Sequence, residues 1–169
     1  EPMVKATGFR EYDARWIFGE EINVMGIQAL GMGIGTLLKE LGKPQEIVTG
    51  HDFRSYSSSI KMALVSGLMA AGCKVHDIGL AVTPMAYFAQ FALDVPAVAM
   101  VTASHNENGW TGVKMGADRP RTFGPDEMGR LKEIVLNAAF DLSGGGSYAF
   151  VEGFAQRYMD DLVQNRKIK

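Results

Sequence analysis

Apolar positions along this chain fall into two periods that alternate from one end to the other. Residues 8–15 (Gly8-Phe9-Arg10-Glu11-Tyr12-Asp13-Ala14-Arg15) alternate apolar or aromatic with charged, which predicts a short strand that breaks into a loop over 16–19. From Glu20 the period becomes helical: Ile27, Leu30, Ile34, Leu37 and Leu41 share one face, with Leu38 beside them. Gly26, Gly31, Gly33 and Gly35 interrupt that helix. Each interior glycine costs about 1 kcal/mol against alanine, so this face is expected to press against another backbone. Residues 45–49 predict a second strand. Ser55 is expected to cap a helix presenting Ile60, Leu64, Gly67, Leu68 and Ala71, closed by Gly72. Residues 74–79 alternate as a third strand. Thr83-Pro84 opens a further helix, with Thr83 as cap, Pro84 at the first helical position, and Tyr87, Phe88, Phe91 and Ala92 as its apolar stripe.

The run Pro96-Ala97-Val98-Ala99-Met100-Val101 is apolar without a break and predicts a strand buried on both faces. It gives way abruptly to Thr102-Ala103-Ser104-His105-Asn106 and a turn-prone Glu107-Asn108-Gly109, before residues 111–115 return as a strand. The connection is too short for a helical crossover, so these two strands are expected as an antiparallel hairpin at one edge. Gly124-Pro125-Asp126-Glu127 opens the next helix, with acidic residues where the helix dipole favours them and Met128, Leu131, Val135 and Ala138 along one face. Ser143-Gly144-Gly145-Gly146-Ser147 reads as a linker, Val151, Phe154, Tyr158 and Leu162 as another amphipathic helix, and Arg166-Lys167-Ile168-Lys169 as the start of a strand. The expected fold is α/β: three-layer α/β/α with a mixed, mostly parallel sheet and an antiparallel edge hairpin.

Composition narrows the partners. With 47% hydrophobic and 21% charged residues in 169, the chain matches a globular domain. Seventeen Lys and Arg against nineteen Asp and Glu give a net charge of −2, so no basic field is available to hold nucleic acid or an anionic membrane surface. No apolar run approaches bilayer length. Cys73 has no partner for a disulfide, which fits a reducing, cytoplasmic setting and a buried structural thiol. The chain opens on Glu1-Pro2-Met3, without the plan of a signal peptide, and reads as a trimmed segment.

Candidate chemistry gathers where the apolar run ends, because open α/β sheets place ligand crevices at the carboxyl ends of their strands. Ser104 offers a nucleophilic oxygen, His105 and Asn106 hydrogen bonds, and Lys114 a point charge. The same residues also make a plain turn in which Ser104 bonds its own backbone, and spacing alone does not choose between the two. A Ser-His-Asp hydrolase lacks its Gly-x-Ser-x-Gly elbow here. His51, Asp52, His76, Asp77 and His105 match no zinc spacing, and Gly31-Met32-Gly33-Ile34-Gly35 lies inside a helix with no strand before it, unlike a dinucleotide fingerprint. Arg10, Arg15, Arg54 and Lys114 all lie at or beyond strand ends and could converge on one rim to hold an anion, or stand apart as solvated cations.

These segments together carry a family likeness. Thr102-Ala103-Ser104-His105-Asn106 followed by Gly112-Val113-Lys114 resembles the phosphoserine loop of the α-D-phosphohexomutases, usually Thr-Gly/Ala-Ser-His-Asn-Pro with Gly-Phe-Lys after it. The stretch from Phe9 to Arg15 resembles the family's Phe-Arg-x-Tyr-Asp-Ile-Arg, Gly50-His51-Asp52-Phe53-Arg54 its Gly-x-Asp-x-Arg, and Thr83-Pro84 its Thr-Pro, all in family order. Glu107 stands where the family usually has proline, and Trp16 where glycine follows the arginine.

The resemblance implies that residues 1–142 are the first of four domains, with 143–169 a linker, a connecting helix and the opening of the second. By position, Ser104 would be the phosphorylated serine that exchanges its phosphoryl group with a hexose phosphate through a bisphosphate. Lys114 and Arg15 would supply acid/base and electrostatic roles. Tyr12, His105, Asn106, Arg10, Asp52 and Arg54 would face the substrate. A magnesium ion would be held by the phosphate on Ser104 and by carboxylates of a later domain, with hexose 1,6-bisphosphate as activator. The partners implied are a hexose phosphate and the C-terminal domains of the same chain. This segment alone would be inactive. A sugar-phosphate-binding module without phosphorylation, and less favoured a serine hydrolase, are the competing readings.

Overall fold

The computed structural model describes residues 1–167. Its elements run β1 (Ala14–Ile17), α1 (Val24–Glu40), β2 (Glu46–His51), α2 (Ser57–Ala70), β3 (Lys74–Leu80), α3 (Thr83–Ala92), β4 (Ala97–Val101), β5 (Trp110–Gly116), α4 (Pro125–Leu136), β6 (Ser147–Phe150) and α5 (Phe154–Lys167). The six strands form one sheet in the order β1-β5-β4-β2-β3-β6. β2 pairs in parallel with β3 and β4, and β3 with β6; β5 is antiparallel to both β4 and β1. The sheet is therefore mixed and mostly parallel, and β1 adds outside the β4–β5 hairpin.

Side chains on a strand alternate between faces, and here the two faces carry separate cores. Ala97, Ala99 and Val101 of β4 and Ile47 of β2 pack with Leu30, Ile34 and Leu37 of α1, Leu64 and Leu68 of α2, and Leu131 and Ile134 of α4. Val98 and Met100 of β4 and Val48 of β2 face the other way, against Met85, Ala86 and Ala89 of α3 and Phe154 of α5. A fully buried Leu or Ile contributes about 1.5–3 kcal/mol, so both layers are strongly held.

The topology fixes where a ligand can sit. From the central β2, the chain passes through α2 to β3 on one side, then through α3 back across to β4 on the other. The loops after β2 and β4 thus diverge at the carboxyl ends of neighbouring parallel strands, a topological switch point of the kind that opens a crevice.

The glycine-rich face of α1 has its partner. A Cβ added at Gly31 would lie 2.2 Å from the Leu64 carbonyl oxygen, and one added at Gly67 would lie 2.1 Å from that of Gln28. The two helices touch backbone to backbone. Gly67→Ala is expected to destabilise by about 1–3 kcal/mol, because strain outweighs the gain in helix propensity. Urea denaturation checks this; an unshifted midpoint would contradict the close approach.

Several elements differ from the sequence reading. The strand expected over 8–15 is displaced to Ala14–Ile17, because Trp16 enters the core. Its indole is fully buried, donates Nε1–H to the Lys5 carbonyl at 2.8 Å, and meets Phe9 edge-on at 5.2 Å. Gly8 leaves room for that ring. Helix α2 begins after Tyr56 rather than Ser55 and has no side-chain cap, and Val82 rather than Thr83 precedes α3. In α3 the buried side chains are Met85, Ala86, Ala89 and Gln90, while Phe91 is exposed beneath Arg119. Ala138 lies beyond α4 with φ 50°. Ser147, read as the end of a linker, opens β6, which completes the sheet beside β3. Arg166 and Lys167 continue α5 rather than starting a strand, and Ile168 and Lys169 lie outside the described residues. Cys73 is fully buried, and that burial pushes its thiol up to about 11, so it is an inert core residue.

Candidate active site

Ser104 sits three residues past β4 at the mouth of a cavity of about 630 Å³. Its lining includes the polar Asp52, Thr102, Ser104, His105 and Lys114 and the apolar Leu80, Val82, Met85 and Met159. Lys114 also lines a smaller cavity of about 250 Å³ with Tyr12, Asp13 and Arg15. It is the side chain shared by the two.

Strand register explains this convergence. Lys114 of β5 lies opposite Met100 of β4, and Arg15 of β1 opposite Gly112, two residues before Lys114. Lys114 and Arg15 thus point to the same face as Met100, the face covered by α3 and α5. Gly112 is needed there, because an added Cβ would come within 2.4 Å of the Ala14 carbonyl oxygen and 3.1 Å of Arg15 Cγ.

The loop that carries Ser104 is braced from three directions. Arg15 donates Nε–H to Asp13 Oδ2 at 2.9 Å, and its Nη1 reaches the side-chain oxygen of Asn106 and the Ala103 carbonyl. Arg54 is ion-paired with Asp52 and donates from Nη2 to the carbonyls of Asn106 at 2.6 Å and Ser104 at 3.4 Å. Tyr56 accepts from Gly109 N–H at 2.8 Å, donates to the Trp110 carbonyl at 2.7 Å, and stacks on Phe18. Within this frame Ser104 adopts φ 54°, a left-handed conformation uncommon outside glycine.

Asp52 is the node of the loop after β2. It accepts from Arg54, Ser57 and Thr102, and its own N–H is bonded to the Val101 carbonyl at 2.9 Å. Burial alone would push its carboxyl up, but the hydrogen bonds from Ser57 and the Arg54 backbone and the Arg54 charge outweigh it, leaving the carboxyl below its usual range. Asp52 is a carboxylate.

Of the four cations read as a possible rim, Arg15, Arg54 and Lys114 surround the Ser104 loop. Arg10 does not. Its backbone N–H bonds the Asp13 carbonyl, its side chain is exposed, and it lines neither cavity. Tyr12 is 61% exposed beside Arg15, and His105 is exposed at the cavity wall.

The fold has known counterparts. Residues 6–141 match the family model described as phosphoglucomutase/phosphomannomutase, alpha/beta/alpha domain I. The chain belongs to the phosphoglucomutase/phosphomannomutase family. It is 40% identical over 171 residues to a phosphomannomutase of Escherichia coli K12, covering 99% of this chain and 36% of that one. Over 166 residues it is 34% identical to a phosphomannomutase of Vibrio cholerae, covering 95% and 35%. A crystal structure of a phosphoglucomutase/phosphomannomutase family protein from Burkholderia thailandensis superposes with a TM-score of 0.87 at 29% identity, over 96% of this chain and 36% of that one. The chain spans about a third of the length of these relatives.

Two departures from the usual phosphohexomutase motifs have structural accounts. Glu107 is exposed and lines neither cavity, so its charge does not face Ser104 across the pocket. Trp16 fills the core beneath the N-terminal segment.

Sequence reasoning missed Ser57, Tyr56 and Thr102 as loop supports, and a second buried network. Lys61 is ion-paired to Asp77 at 2.8 Å with both side chains buried, and donates to His51 Nδ1 at 3.1 Å; Tyr148 of β6 donates to Asp77 Oδ2 at 2.6 Å. Burial and the Lys61 charge hold His51 below the usual imidazole range. An alternation signal existed for Asp77 on β3, but none pointed to Lys61.

Among the described residues no three His, Cys, Asp or Glu converge. Near Ser104 the carboxylate of Asp52 is occupied by Arg54, Ser57 and Thr102, and Asp77 by Lys61 and Tyr148. His76 is bonded to Glu46 at 2.6 Å. These residues do not fit a magnesium site by themselves.

Proposed function

We propose that this chain is the phosphoserine-bearing domain of a mutase that interconverts hexose 1-phosphates and hexose 6-phosphates. The observation that carries this reading is Ser104, held in a left-handed conformation by a braced loop, at the mouth of a cavity it shares with Lys114. A loop serine serving only a turn has no need of three separate braces.

In this reading the phosphoryl group on Ser104 Oγ passes to the free hydroxyl of the bound hexose phosphate. One P–O bond breaks and one forms, and the proton given up by the sugar hydroxyl balances the one taken by the serine oxygen, giving a hexose 1,6-bisphosphate and a free serine. Once the bisphosphate has turned over, its other phosphoryl group returns to Ser104. Such transfers ask mainly for alignment and neutralisation of spread charge. A phosphoserine carries about −1.5 to −2 charge near neutral pH. Lys114, as an ammonium, balances that charge and can pass a proton to the departing Ser104 oxygen; Arg15, which stays protonated, gives electrostatic support. Tyr12, His105 and Asn106 lie around the reacting end. Ser104's own hydrogen bonds run through its backbone, leaving its Oγ without a histidine base among the described residues, which disfavours the hydrolase reading.

Residues 1–142 carry the phosphoserine site in this account, and residues 143–167 add β6 and α5 to the same sheet and core before the chain leads on to the next domain. The distal phosphate site and sugar recognition belong to the rest of a longer, cytoplasmic protein, so this segment alone has no turnover. Magnesium would take one phosphoryl oxygen on Ser104 from this chain and its remaining ligands from elsewhere. The relatives' names make mannose phosphate the first substrate to test. Incubating the full-length protein with hexose 1,6-bisphosphate, followed by intact mass and site mapping, is expected to find one phosphoryl group on Ser104. An unmodified serine under conditions of tight sugar-phosphate binding would instead mark a binding module.

A further inference from the structure

We propose that Asp52 and Arg54 are a positioning pair that sets the shape of the Ser104 loop, and that neither binds the sugar phosphate. The proposal rests on Ser104 being the phosphoryl acceptor and explains how that serine is aimed. It reassigns two residues whose motif positions suggested substrate contact.

A left-handed serine persists only where its surroundings over-determine it. Two sets of bonds do so here, and both begin at this pair. Thr102 donates its hydroxyl proton to Asp52 Oδ2 at 3.1 Å, which leaves Thr102 Oγ1 to accept from Ser104 N–H at 3.0 Å. Ala103 N–H points to the same carboxylate oxygen at 3.4 Å. The Asp52 charge therefore polarises a chain that ends on the Ser104 backbone. Arg54 closes the other side, donating from one nitrogen to the carbonyls of both Ser104 and Asn106, so that it brackets His105.

Occupancy and burial argue against a direct role with substrate. Arg54 is 8% exposed and Asp52 7%. Nη1 of Arg54 is spent on Asp52 and Nη2 on the loop carbonyls. An unpaired carboxylate on the cavity wall would repel a phosphate, whereas one paired with Arg54 does not. The planar fork of arginine can hold a carboxylate with one nitrogen and carbonyls with the other; the single ammonium of lysine cannot.

The test uses Arg54→Lys and Thr102→Val in the full-length protein, each read by steady-state kinetics with a hexose phosphate and by amide hydrogen exchange. Arg54→Lys is expected to lower kcat by about 30- to 100-fold with KM within about twofold, because misaimed reactants lose rate rather than affinity. Exchange at residues 103–106 is expected to speed up at least about tenfold while β4 is unchanged. Thr102→Val, close to isosteric, is expected to show the same pattern at smaller size and serves if the arginine variant does not fold. A tenfold rise in KM at near-normal kcat would assign Arg54 to substrate and overturn the proposal, as would unchanged loop exchange in both variants. If the parent protein takes no phosphoryl group on Ser104 while loop exchange still responds, the catalytic reading falls and the positioning pair stands.

Discussion

Ser104→Ala in the full-length protein is expected to lower mutase turnover by at least about 10⁴-fold, the scale on which removing a covalent nucleophile acts. Phosphoryl exchange through the protein needs an oxygen that can be esterified and released, and the loop between β4 and β5 presents one at the cavity mouth. His105, next along the chain, is exposed and not braced as the serine is. Ser104 is held at both its N–H and its carbonyl. Alanine keeps those backbone bonds, so the variant should fold with an unchanged loop and bind a hexose phosphate with near-normal affinity. Loss of turnover with retained binding is the expected signature, measured by a coupled mutase assay beside calorimetric binding. Turnover within tenfold of the parent would remove Ser104 from the chemistry.

Lys114→Ala is expected to reduce kcat by about 10²- to 10³-fold, the usual cost of deleting one preorganised charge at a site where charge develops. Register places its side chain on the same face as Met100, and two residues along β5 from the partner of Arg15. It lines both cavities, is half-buried, and has no ion-pair partner among the described residues. Arg15 and Arg54 are different, since both are already paired with carboxylates. Lys114 is therefore the uncommitted cation of the site. A partly desolvated charge interacts more strongly than one in water, so its removal should slow both phosphorylation of Ser104 by bisphosphate and transfer from it. Pre-steady-state measurement of the two half-reactions checks this. A loss confined to KM would make Lys114 a binding residue only.

The layered fold was legible because burial wrote itself into the pattern. β4 is buried along its whole length and reads as an unbroken apolar run; the glycines of α1 predicted a close backbone approach that α2 supplies. β6 was hidden for the opposite reason. All four of its residues are exposed, so no alternation marks it, and its strand identity comes from hydrogen bonds to β3 that only the assembled sheet provides. Trp16 misled because an aromatic beside a charged run looks like a loop until Gly8 and Phe9 make room for it.

At the site, local residues were readable and distant ones were not. Ser104 and Lys114 follow from a strand end and a returning strand a few residues away. The loop carbonyls that Arg54 holds lie 50 and 52 residues from it in sequence, so an Asp-x-Arg spacing, which marks only its pairing with Asp52, carries no information about them. The same holds for Lys61, which reads as one polar residue in a helix and proves to be buried against Asp77. Arg10, which the sequence left open between the rim and solvent, precedes β1 and is exposed.

The central claim is that Ser104 carries the phosphoryl group that a hexose phosphate receives. The most direct measurement is a chase. Full-length protein labelled at Ser104 with radioactive hexose 1,6-bisphosphate is freed of excess label and mixed with unlabelled hexose phosphate for a single turnover. Label leaving Ser104 at the rate of catalysis, passing transiently through sugar bisphosphate and ending in the hexose phosphate product, is the predicted result. Label that stays on the protein while unlabelled product accumulates would contradict it.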